Sequence, residues 1–569
     1  MSDTADVASG AASDSLVGWD YWQNDWPRVA VACTRANAAD AFPLPMTPLS
    51  LDLVVRFEDA GAHHLYEKVL RSLRKDQAPD PFVRAVYGLV YFDAEQLAAI
   101  GDGTPGTSRA ALYEQFFGLQ RDPDRPPPPA DVRQELGNAR RVLPRLIWIE
   151  RTLPRRIDRL TAKIRAARPA ASQPSLAECR EWLARLDDSQ IESWWVLTVA
   201  AMLVAAHFEV IVKLLARWAG DETGELTNRL HVNLGGNESA EAGRAVGRLA
   251  RIAQEEGGPV SNVADAGPRF AAAFAEAIAR FGHRGPRELE LSMPSWRADP
   301  SRLLDLVTAH MSSPQATNIA VNADAELASR LKPWQRPIAG AVLARSRAWM
   351  PRRENAKTPL TVLWDELRRL IDCCGAHLVA AGAIARVDDL HYLRRSELDV
   401  ALAGGDVPPA TEILRRRAAY DRCLDVDLPE LIELGPGFVR VLPDAYLVQR
   451  GLVPPTAMAL DNVTELRGLG VAAGVHRGRA RVMADADEPF DPDDILFAYT
   501  VDPGWSPVIA MAGAIVLDVG GPMSHGAVVA RELGIPCVIN VKAGTRVVSD
   551  GATVTVDGSH GIVHIEEAP

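Results

Sequence analysis

The sequence predicts an α+β protein of several domains, in which a long and mostly helical region precedes a smaller C-terminal domain of strands and helix. Most of residues 65–434 follow the periodicity of helices, whereas residues 468–482 form a β segment punctuated by glycines. The stretch between these regions is rich in proline and glycine, as a linker would be. We therefore predict four segments: a disordered tail at 1–18, a helical domain at 19–434, a linker at 435–465 and a C-terminal domain at 466–569.

The composition indicates a soluble protein with ordinary folded domains. The chain has 569 residues, of which 47% are hydrophobic and 24% are charged. Its net charge of −12 argues against nucleic acid as the main partner. The six cysteines include no Cys-x-x-Cys pair. This pattern favours a reduced cytoplasmic compartment and no structural metal.

The sequence shows neither a signal peptide nor a clear membrane span. The first 18 residues are small and acidic, without an apolar core. The longest apolar stretch, residues 194–208, is short for a membrane span and contains His207. We expect this stretch to be a buried helix of a bundle. The sequence thus predicts a cytoplasmic protein without a membrane partner.

Four segments with helical patterns define the helical region, of which residues 189–218 are the most apolar and the last two are amphipathic. Helical patterns occupy residues 131–166, 189–218, 240–256 and 268–280. The first of them contains Pro144 and Pro154, where we expect kinks or breaks. Ser175 and Glu178 have the spacing of a capping box, which predicts that a helix begins there.

The segment that carries most chemistry is residues 520–534, Gly-Gly-Pro-Met-Ser-His-Gly-Ala-Val-Val-Ala-Arg-Glu-Leu-Gly. Apolar runs on either side predict short buried strands, and the end of the segment predicts a helix that stops at Gly534. The two initial glycines predict a tight turn, and Ser524 is the expected N-cap. His525 then lies in the first helical turn, where we expect an exposed side chain with little packing.

A histidine at a helix N-terminus has chemical consequences. The partial positive charge of the helix end disfavours imidazolium, so His525 is expected to stay neutral and nucleophilic. The unpaired N–H groups of the helix end can hold the oxygens of a phosphoryl group. This combination suits a histidine that is phosphorylated and then gives the phosphoryl group away. The alternative is an ordinary surface histidine beside a tight turn.

The surrounding residues favour the phosphorylated histidine. Thr-Val-Asp-Pro-Gly-Trp-Ser-Pro at 500–507, followed by a strand and the segment around His525, resembles the phosphohistidine swivelling domain of phosphoenolpyruvate-utilising enzymes such as rifampin phosphotransferase. The resemblance runs from about Leu466 to the end of the chain and implies a C-terminal β/β/α swivelling phosphohistidine domain. It also implies that His525 carries a phosphoryl group between two distant sites, with Gly521 and Ser524 beside the phosphate.

The segment at residues 34–49 contains Pro43, Pro45 and Pro48, which exclude a helix near its end. By composition alone it is a loop. It also resembles the segment that opens the acceptor-substrate domain of rifampin-phosphotransferase-like proteins, where an acidic residue and a Pro-Leu-Thr-Pro-like run line the acceptor pocket. The resemblance implies that Asp40 is this acidic residue.

Residues 281–300 form a loop rich in glycine, proline and charge. Arg284 and Arg287 could bind an anion, and Glu288 could pair with them, or the loop could simply be an ion-paired surface segment. It resembles the Tyr-Gly-His-Arg-Gly-Pro-Gly-Glu…Pro-Arg-Trp…Asp-Pro signature of the acceptor domain. The resemblance implies that these three side chains contact substrate or phosphate. Three positions depart from the signature, namely Phe281, Arg287 and Ser295.

Arg353 and Lys357 are four residues apart and would share one face of a helix. Two cations on one face repel each other unless an anion lies between them, and the alternative is a solvated basic face. The pair lies in an Arg-Glu-x-x-Lys run similar to that in the acceptor domain of rifampin phosphotransferase. There the Arg and the Lys belong to the phosphoryl-transfer site. The resemblance, which continues more weakly at residues 382–398, implies this role for both residues.

We find no Walker-type phosphate-binding loop and no segment that resembles the ATP-grasp domain of full-length dikinases. The layout is similar to that of phenylphosphate synthase, in which the ATP-binding and histidine parts lie on separate subunits. The resemblance therefore implies ATP and Mg²⁺ as cofactors through a partner ATP-grasp subunit. It also implies phosphohistidine as a covalent intermediate and no metal site on this chain.

These observations predict the acceptor and phosphohistidine subunit of an ATP-dependent, dikinase-type phosphotransferase. His525 would pass a phosphoryl group to the hydroxyl of a small, hydrophobic alcohol or phenol, and a dehydration could follow. Arg353 and Lys357 would neutralise the developing charge, and Asp40 would take the hydroxyl proton. The alternative is a non-catalytic phosphocarrier or regulatory scaffold whose helical domain binds a partner protein.

Overall fold

The computed structural model of the chain describes residues 27–567, apart from 37, 40, 71–80, 104–107, 118, 120, 123, 126–131, 222–223, 233, 259, 261, 312–322, 427, 455–462, 487 and 522–523. The expected tail at 1–18 and the candidate residue Asp40 lie outside the described residues. The described residues form two compact units. The first takes its residues from Met1–Val199, Leu289–Ser292 and Val362–Ala457, and the second from Ala200–Glu288, Met293–Thr361 and Met458–Pro569.

Helices make up most of the described chain before residue 425, and four shorter helices follow it. In chain order they are α1 (Pro48–Leu65), α2 (Ala94–Gly103), α3 (Arg109–Phe117), α4 (Val132–Ala166), α5 (Leu176–Ala219), α6 (Glu225–Leu230), α7 (Glu238–Glu256), α8 (Pro268–Phe281), α9 (Ser301–Met311), α10 (Ala323–Arg330), α11 (Gln335–Asn355), α12 (Thr358–Ala380), α13 (Arg395–Leu402), α14 (Ala410–Leu424), α15 (Asp444–Gln449), α16 (Ser506–Met511), α17 (His525–Leu533) and α18 (Gly544–Val547).

The strands lie at the two ends of the described chain. They are β1 (Val31–Thr34), β2 (Val83–Val86), β3 (Leu89–Asp93), β4 (Leu431–Gly435), β5 (Phe438–Val441), β6 (Glu465–Arg467), β7 (Leu469–Ala472), β8 (Val475–Met483), β9 (Ile495–Ala498), β10 (Ala514–Leu517), β11 (Cys537–Ile539), β12 (Thr553–Asp557) and β13 (Ile562–Glu567). The prediction of a mostly helical region followed by a C-terminal domain rich in strands is therefore confirmed.

The first unit contains an antiparallel sheet that the sequence pattern did not reveal. Its strand order is β2-β3-β1-β4-β5, and β1 pairs with β4 from a distant part of the chain. Each strand has only four or five residues. Such short strands show too few alternations to be separated from helical segments by periodicity alone. Within residues 65–434, predicted as mostly helical, the sequence pattern missed the three short strands β2, β3 and β4.

The amphipathic segments form helices close to the predicted bounds. Helix α4 continues through Pro144 and Pro154 as a single helix. The capping box before α5 is present, because Glu178 accepts the backbone N–H of Ser175 at 2.8 Å and the hydroxyl of Ser175 accepts the N–H of Glu178 at 3.3 Å. The helices expected at 240–256 and 268–280 are α7 and α8.

Helix α5 is less buried than expected. It runs for 44 residues and is the one helix of the described residues that is long and apolar enough to cross a membrane. Only 39% of its most apolar 18-residue window is buried. Residues 194–208 lie within this helix and are buried or half-buried except for Ala206, so the expected bundle helix is present. Apolar side chains at Ile191 and Val210, on either side of this stretch, are exposed. Length and composition of one helix are weak evidence for a membrane span.

The second unit contains the C-terminal sheet of eight strands, in the order β6-β13-β12-β8-β9-β10-β11-β7. Strands β8, β9, β10 and β11 run parallel, and the outer strands pair antiparallel. Both faces of β10 are covered, since Ile515 and Leu517 belong to one hydrophobic core whereas Ala514 and Val516 belong to another. A strand buried on both faces reads as a continuous apolar run, which is how the sequence predicted it.

The stretch predicted as a linker contains ordered elements. The turn at Pro436 and Gly437 joins β4 to β5, and α15 follows. The proline and glycine residues predicted the turn correctly, but they did not reveal that the turn lies in a hairpin. The domain boundaries at 435 and 465 remain predictions.

Candidate active site around His525

His525 is the first residue of α17. The sequence predicted that it lies in the first turn of this helix. The helix ends at Leu533, and Gly534 follows in the left-handed conformation with a φ of 71°, where glycine is favoured because it has no Cβ. The turn before the helix is closed by a hydrogen bond of 2.8 Å from the N–H of Ser524 to the carbonyl of Gly521. Ser524 occupies the N-cap position, but its side chain makes no capping hydrogen bond. The predicted N-cap position is therefore confirmed, whereas the side chain itself does not cap the helix.

The side chain of His525 is completely buried, with an exposed fraction of 0%. Helix α17 contacts α7, α16 and β7, so its N-terminus is covered by other parts of the second unit. The expectation of an exposed histidine is wrong, because a pattern along the chain does not show which elements pack over it. The alternative of an ordinary surface histidine is excluded by the same observation.

A buried carboxylate contacts the histidine. The Nδ1 atom of His525 lies 2.9 Å from Oε2 of Glu354, near the end of α11. Both side chains are 0% exposed. An ionised carboxylate only accepts hydrogen bonds, so Nδ1 carries the hydrogen and the neutral ring is the Nδ1–H tautomer.

Glu354 also accepts hydrogen bonds from the two predicted cations. Nη1 of Arg353 donates to Oε1 at 2.5 Å, and Nζ of Lys357 donates to Oε2 at 3.1 Å. The hydroxyl of Ser239 donates to Oε2 at 3.1 Å. The anion expected between the cations is therefore a residue of this chain. The prediction of one shared helix face is wrong, because α11 ends at Asn355 and Lys357 lies in the turn beyond it.

Burial and the ion pairs set the charges of this cluster. Burial alone would raise the pKa of Glu354, but Lys357, the hydrogen-bonded His525 and then Arg353 hold that pKa well below its usual value. Burial lowers the pKa of His525 to about 4, although Glu354 opposes this shift. The histidine is therefore neutral at neutral pH and the glutamate is ionised. The sequence predicted a neutral ring because of the positive end of the helix, whereas burial is the largest cause of the lowered pKa of His525.

The second ring nitrogen faces a hydroxyl group. Nε2 of His525 lies 3.3 Å from Oγ of Ser506 at the start of α16. The same hydroxyl donates to the carbonyl of Pro503 at 2.8 Å. Since Nδ1 is bonded to Glu354, Nε2 is the nitrogen that is left to act as a nucleophile.

The first part of this loop, residues 281–291, is largely buried, so its charged side chains do not form an ion-paired surface segment, whereas residues 292, 298 and 300 are exposed. Arg284 is 1% exposed and Glu288 is 4% exposed. Nη1 of Arg284 donates to both carboxylate oxygens of Glu288, at 3.1 and 3.3 Å. The pairing predicted from the sequence is therefore present. The charge of Arg284 also contributes to the lowered pKa of His525.

Arg287 acts through its backbone, which has a positive φ of 47°. Its N–H donates to Oδ2 of Asp502 at 3.1 Å, and Oδ1 of Asp502 accepts the N–H of Gly504 at 2.7 Å. Burial, together with the charge of Glu288, raises the pKa of Asp502 to about 7. A Cβ at Gly504 would lie 2.3 Å from the carbonyl oxygen of Gly285, so only glycine fits between these two segments.

The site contains buried donors that suit an anion. Nε and Nη2 of Arg284 and Oγ of Ser524 are buried without a hydrogen-bond partner among the described residues. Buried donors without partners cost free energy, so they point to an anion that shares the site. A phosphoryl group offers three acceptor oxygens and fits such donors. Within the residues that the structure describes, no group of His, Cys, Asp and Glu side chains could hold a metal ion.

Sequence reasoning missed three residues of this site: Glu354, which contacts His525, Ser239, which contacts Glu354, and Ser506, which contacts His525. Glu354 stood between the two predicted cations, so the expected anion could have been sought within the same run. Ser239 and Ser506 gave no comparable signal, because serines at the start of helices are common and have capping roles. Only the packing of α7, α11 and α16 around α17 shows their position.

Two regions of the chain that contribute residues to this site match models of known protein families. Residues 490–561, which include His525, match the mobile domain of PEP-utilising enzymes. Residues 196–354, which end at Glu354, match the fourth domain of rifampicin phosphotransferase. The chain is therefore similar to phosphoenolpyruvate-utilising enzymes in one region and to rifampicin phosphotransferase in another, as the resemblance in its sequence implied.

Individual relatives extend the likeness over most of the chain. It is 28% identical over 554 residues to an uncharacterised protein of Mycobacterium tuberculosis (strain ATCC 25618 / H37Rv), with 93% of this chain and 61% of the relative covered. It is 30% identical over 311 residues to a rifampicin phosphotransferase of Streptomyces sp, with 52% and 34% covered. It is 28% identical over 310 residues to the prodigiosin synthesizing transferase PigC of Serratia marcescens, with 52% and 33% covered.

The extent of these matches limits what they show. The chain spans about 61% of the length of the mycobacterial relative and about a third of the other two. An NMR structure of Enzyme I matches 61% of this chain and 79% of its own at 12% identity with a TM-score of 0.16, which supports no argument about the fold. The comparisons therefore show a likeness to the mobile domain of PEP-utilising enzymes and to one domain of rifampicin phosphotransferase, over part of each relative's length.

Proposed function

We propose that the chain is the acceptor and phosphohistidine part of an ATP-dependent, dikinase-type phosphotransferase. His525 accepts a phosphoryl group while its domain is away from the helices, and then returns to the position described above. There it passes the phosphoryl group to the hydroxyl of a small, hydrophobic alcohol or phenol. The contact between His525 and Glu354 carries this proposal, because it joins the two segments that match the family at one buried site lined by cations.

The cations are arranged for charge stabilisation. Phosphoryl transfer needs positioning and stabilisation of negative charge on the equatorial oxygens. Arg353 and Lys357 are only 15% and 14% exposed, and Glu354 holds both in place. Arg284 adds two buried donors without partners. Groups that are already held in position need no reorganisation when the charge develops.

The proton of the acceptor hydroxyl needs a base. Asp40 remains our candidate, and the support for it is the resemblance of its segment to the acceptor-pocket segment of the family. Asp40 lies outside the described residues. A carboxylate within hydrogen-bond reach of the hydroxyl would serve this purpose.

Charging of the histidine requires the domain to move. In the position described above His525 is 0% exposed, so a nucleotide cannot approach it. We propose that a separate ATP-grasp subunit supplies the phosphoryl group from ATP with Mg²⁺, since the sequence contains no phosphate-binding loop that we can identify. Residues within the predicted linker at 435–465 would allow the movement.

The acceptor is proposed to be hydrophobic. Helix α5 is apolar and only partly buried, so its surface offers contacts for an apolar ligand. A phosphorylated alcohol is also an activated leaving group, so a dehydration could complete the reaction. We place the reaction in the cytoplasm, where ATP and reduced cysteines are both expected.

The alternative is a non-catalytic phosphocarrier or regulatory scaffold whose helical domain binds a partner protein. Departures from the family signature at Phe281 and Ser295 suggested it. Phe281 lies in a hydrophobic core with Phe274 and Trp296, so its role is packing. This packing explains the departure without loss of the charged residues of the site.

A single-turnover assay distinguishes the two functions. The chain is first phosphorylated on His525 and freed of the donor, and then mixed with a panel of hydrophobic alcohols and phenols. We expect at least one of them to accelerate loss of the phosphoryl group far above the rate in water and to appear as a phosphate ester. If no alcohol does so while a partner protein accepts the phosphoryl group, the chain is a carrier.

A further inference from the structure

We propose that the exposed face of helix α4 is a docking surface for an acidic, tryptophan-rich segment of the same chain, residues 14–26. The face consists of the exposed and half-buried side chains of residues 136–155, and we call it the arginine face. The inference does not depend on the proposed function, because α4 belongs to the first unit and His525 to the second.

The arginine face is strongly basic, although the chain has a net charge of −12. Its charged side chains are all arginines, and the one carboxylate of residues 136–155, Glu150, is buried. The arginines are Arg140, Arg141, Arg145, Arg151 and Arg155. Among the described residues no carboxylate forms an ion pair with them, and the bonds of Arg141 and Arg145 go to an amide and a backbone carbonyl of α4 itself. Like charges along one helix repel each other, so the face suits an acidic partner.

Apolar side chains are exposed beside these charges. Leu136, Leu143 and Ile147 are 67%, 46% and 44% exposed, and Trp148 is 59% exposed. The first three follow each other at seven and four residues, which places them in one row along the helix. Single exposed apolar residues are ordinary, whereas a row of them beside a row of charges is typical of a surface that contacts a partner.

A cleft lies among the arginines. It has a volume of about 630 Å³ and is lined by Gly137, Arg140, Arg141, Pro144, Arg145 and Trp148. Guanidinium groups pair with carboxylates and also stack on the faces of indole rings. The cleft therefore suits a segment that carries both aspartate and tryptophan.

The residues that precede Pro27 have this composition. Residues 1–26 include five aspartates and no glutamate, lysine or arginine. Trp19, Trp22 and Trp26 follow each other at three and four residues, which is the spacing of one helix face, and Asp20 and Asp25 lie between them. The segment thus complements the arginine face in charge and in apolar content.

The segment is long enough to lie along the arginine face. The described chain begins at Pro27, in the same unit as α4. The 26 preceding residues span about 86 Å when extended, whereas residues 136–155 span about 30 Å as a helix. A tethered segment has an effective concentration in the millimolar range, which favours it over a separate acidic protein. The net charge of −12 disfavours an anionic membrane as the occupant.

The test places the photoreactive residue benzoylphenylalanine at position 22 of the full chain, in place of Trp22. We expect irradiation to join this residue to α4 of the same molecule, and peptide mapping should place the adduct within residues 136–155. The combined changes Arg140→Glu, Arg141→Glu and Arg145→Glu should lower the yield of this adduct about tenfold, because attraction is replaced by repulsion.

Matched variants separate docking from a general effect on folding. Arg180→Glu reverses an exposed arginine of α5 in the same unit and should give the parental yield. In the chain with the three reversed arginines, the changes Asp14→Arg, Asp20→Arg and Asp25→Arg should restore most of the adduct. If the chain with reversed arginines does not fold, the position of the adduct in the otherwise unchanged chain still decides.

Four results would overturn the proposal. An adduct outside residues 136–155, or equal yields with and without the reversed arginines, would show that the segment does not bind the arginine face. An adduct that joins two molecules would identify a second copy of the chain as the occupant. Sedimentation with phosphatidylglycerol vesicles that requires the three arginines, without an adduct to α4, would assign the face to a membrane.

Discussion

The carboxylate of Glu532 accepts a hydrogen bond from the backbone N–H of Gly235 at 2.7 Å. It also accepts the N–H of Leu234 at 3.0 Å and Nη2 of Arg244 at 2.8 Å. Glu532 lies on the helix that begins at His525. These three bonds therefore fasten the helix that begins at His525 to α7 and to the residues that precede α7.

We predict that Glu532→Gln weakens this docked arrangement. A hydrogen bond to a charged group contributes about 1.5–3 kcal/mol, and an amide keeps only part of it. His525 should then react with diethyl pyrocarbonate about tenfold faster than in the parent chain, since it is exposed more of the time. Glu566→Gln is the control, because this carboxylate pairs with Arg477 on the surface of the same domain. Equal reactivity of all three proteins would show that Glu532 does not hold the helix.

Arg353→Ala and Lys357→Ala should slow transfer of the phosphoryl group from His525 to the alcohol by about a hundredfold or more, the scale of losing one charge-stabilising group. Charging by the proposed ATP-dependent partner should stay nearly unchanged, because we propose that it takes place away from the helices. Single-turnover discharge of the phosphorylated protein measures transfer to the alcohol separately from charging of His525.

The control for these variants is Arg336→Ala, which removes an exposed arginine of the same helix as Arg353. It should discharge at the parental rate. If Arg353→Ala and Lys357→Ala also discharge at that rate, their cations serve only to hold Glu354. The stabilising charge would then have to be sought at Arg284.

His525→Ala should lower the stability of the second unit. The same change at an exposed position would have little effect on stability. The change leaves a cavity and removes a hydrogen bond from the buried carboxylate of Glu354. Loss of one such partner costs about 1–3 kcal/mol. Urea unfolding at neutral pH measures the difference, and His525→Gln should lose less because its amide can still donate. An unchanged midpoint in His525→Ala would contradict the burial of this side chain.

Acid should lower the free energy of unfolding, because protonation of His525 is disfavoured in the folded state. The pKa of His525 falls from 6.5 in the unfolded chain to about 4 in the folded one, so the folded state binds fewer protons between these values. Its contribution to stability is present above pH 6.5 and is lost as the pH falls towards 4. Unfolding free energies measured across this window should fall less steeply in His525→Gln. Parallel curves for the two proteins would show that the ring is not buried neutral.

The isolated chain should not bind ATP tightly, because its sequence offers no phosphate-cradling loop that we can identify. Titration calorimetry with ATP and Mg²⁺ tests this directly. One tight site on the chain alone would contradict the separate ATP-grasp subunit and would show that a divergent nucleotide site was overlooked. The phosphotransferase chemistry itself would survive that result.

The sequence predicted the strand–turn–helix unit around His525 because each part has a local cause. Gly534 stops the helix, and the apolar runs on either side suit strands that are buried on both faces. The sheet of the first unit escaped prediction because β1 and β4 are short and pair across a large separation in the chain. Such pairing leaves no periodic trace in a local window.

The same division applies to the site. Arg353, Lys357 and Arg284 were identified because charged runs are visible in a sequence and resemble those of a family. Burial of His525 was not predictable, since it depends on which helices pack over α17. The partner of Arg287 was missed for a related reason: a backbone N–H that bonds to Asp502 carries no signal in its residue type.

The most direct test of the account is phosphorylation of His525 itself. With a partner ATP-grasp protein and labelled ATP, the parent chain should acquire a label that is stable to base and labile to acid, as a phosphoramidate is, and His525→Ala should acquire none. Peptide mapping should place the label between Gly521 and Gly534. A label that is labile to base, or one that persists in His525→Ala, would contradict the assignment of this histidine as the phosphoryl carrier.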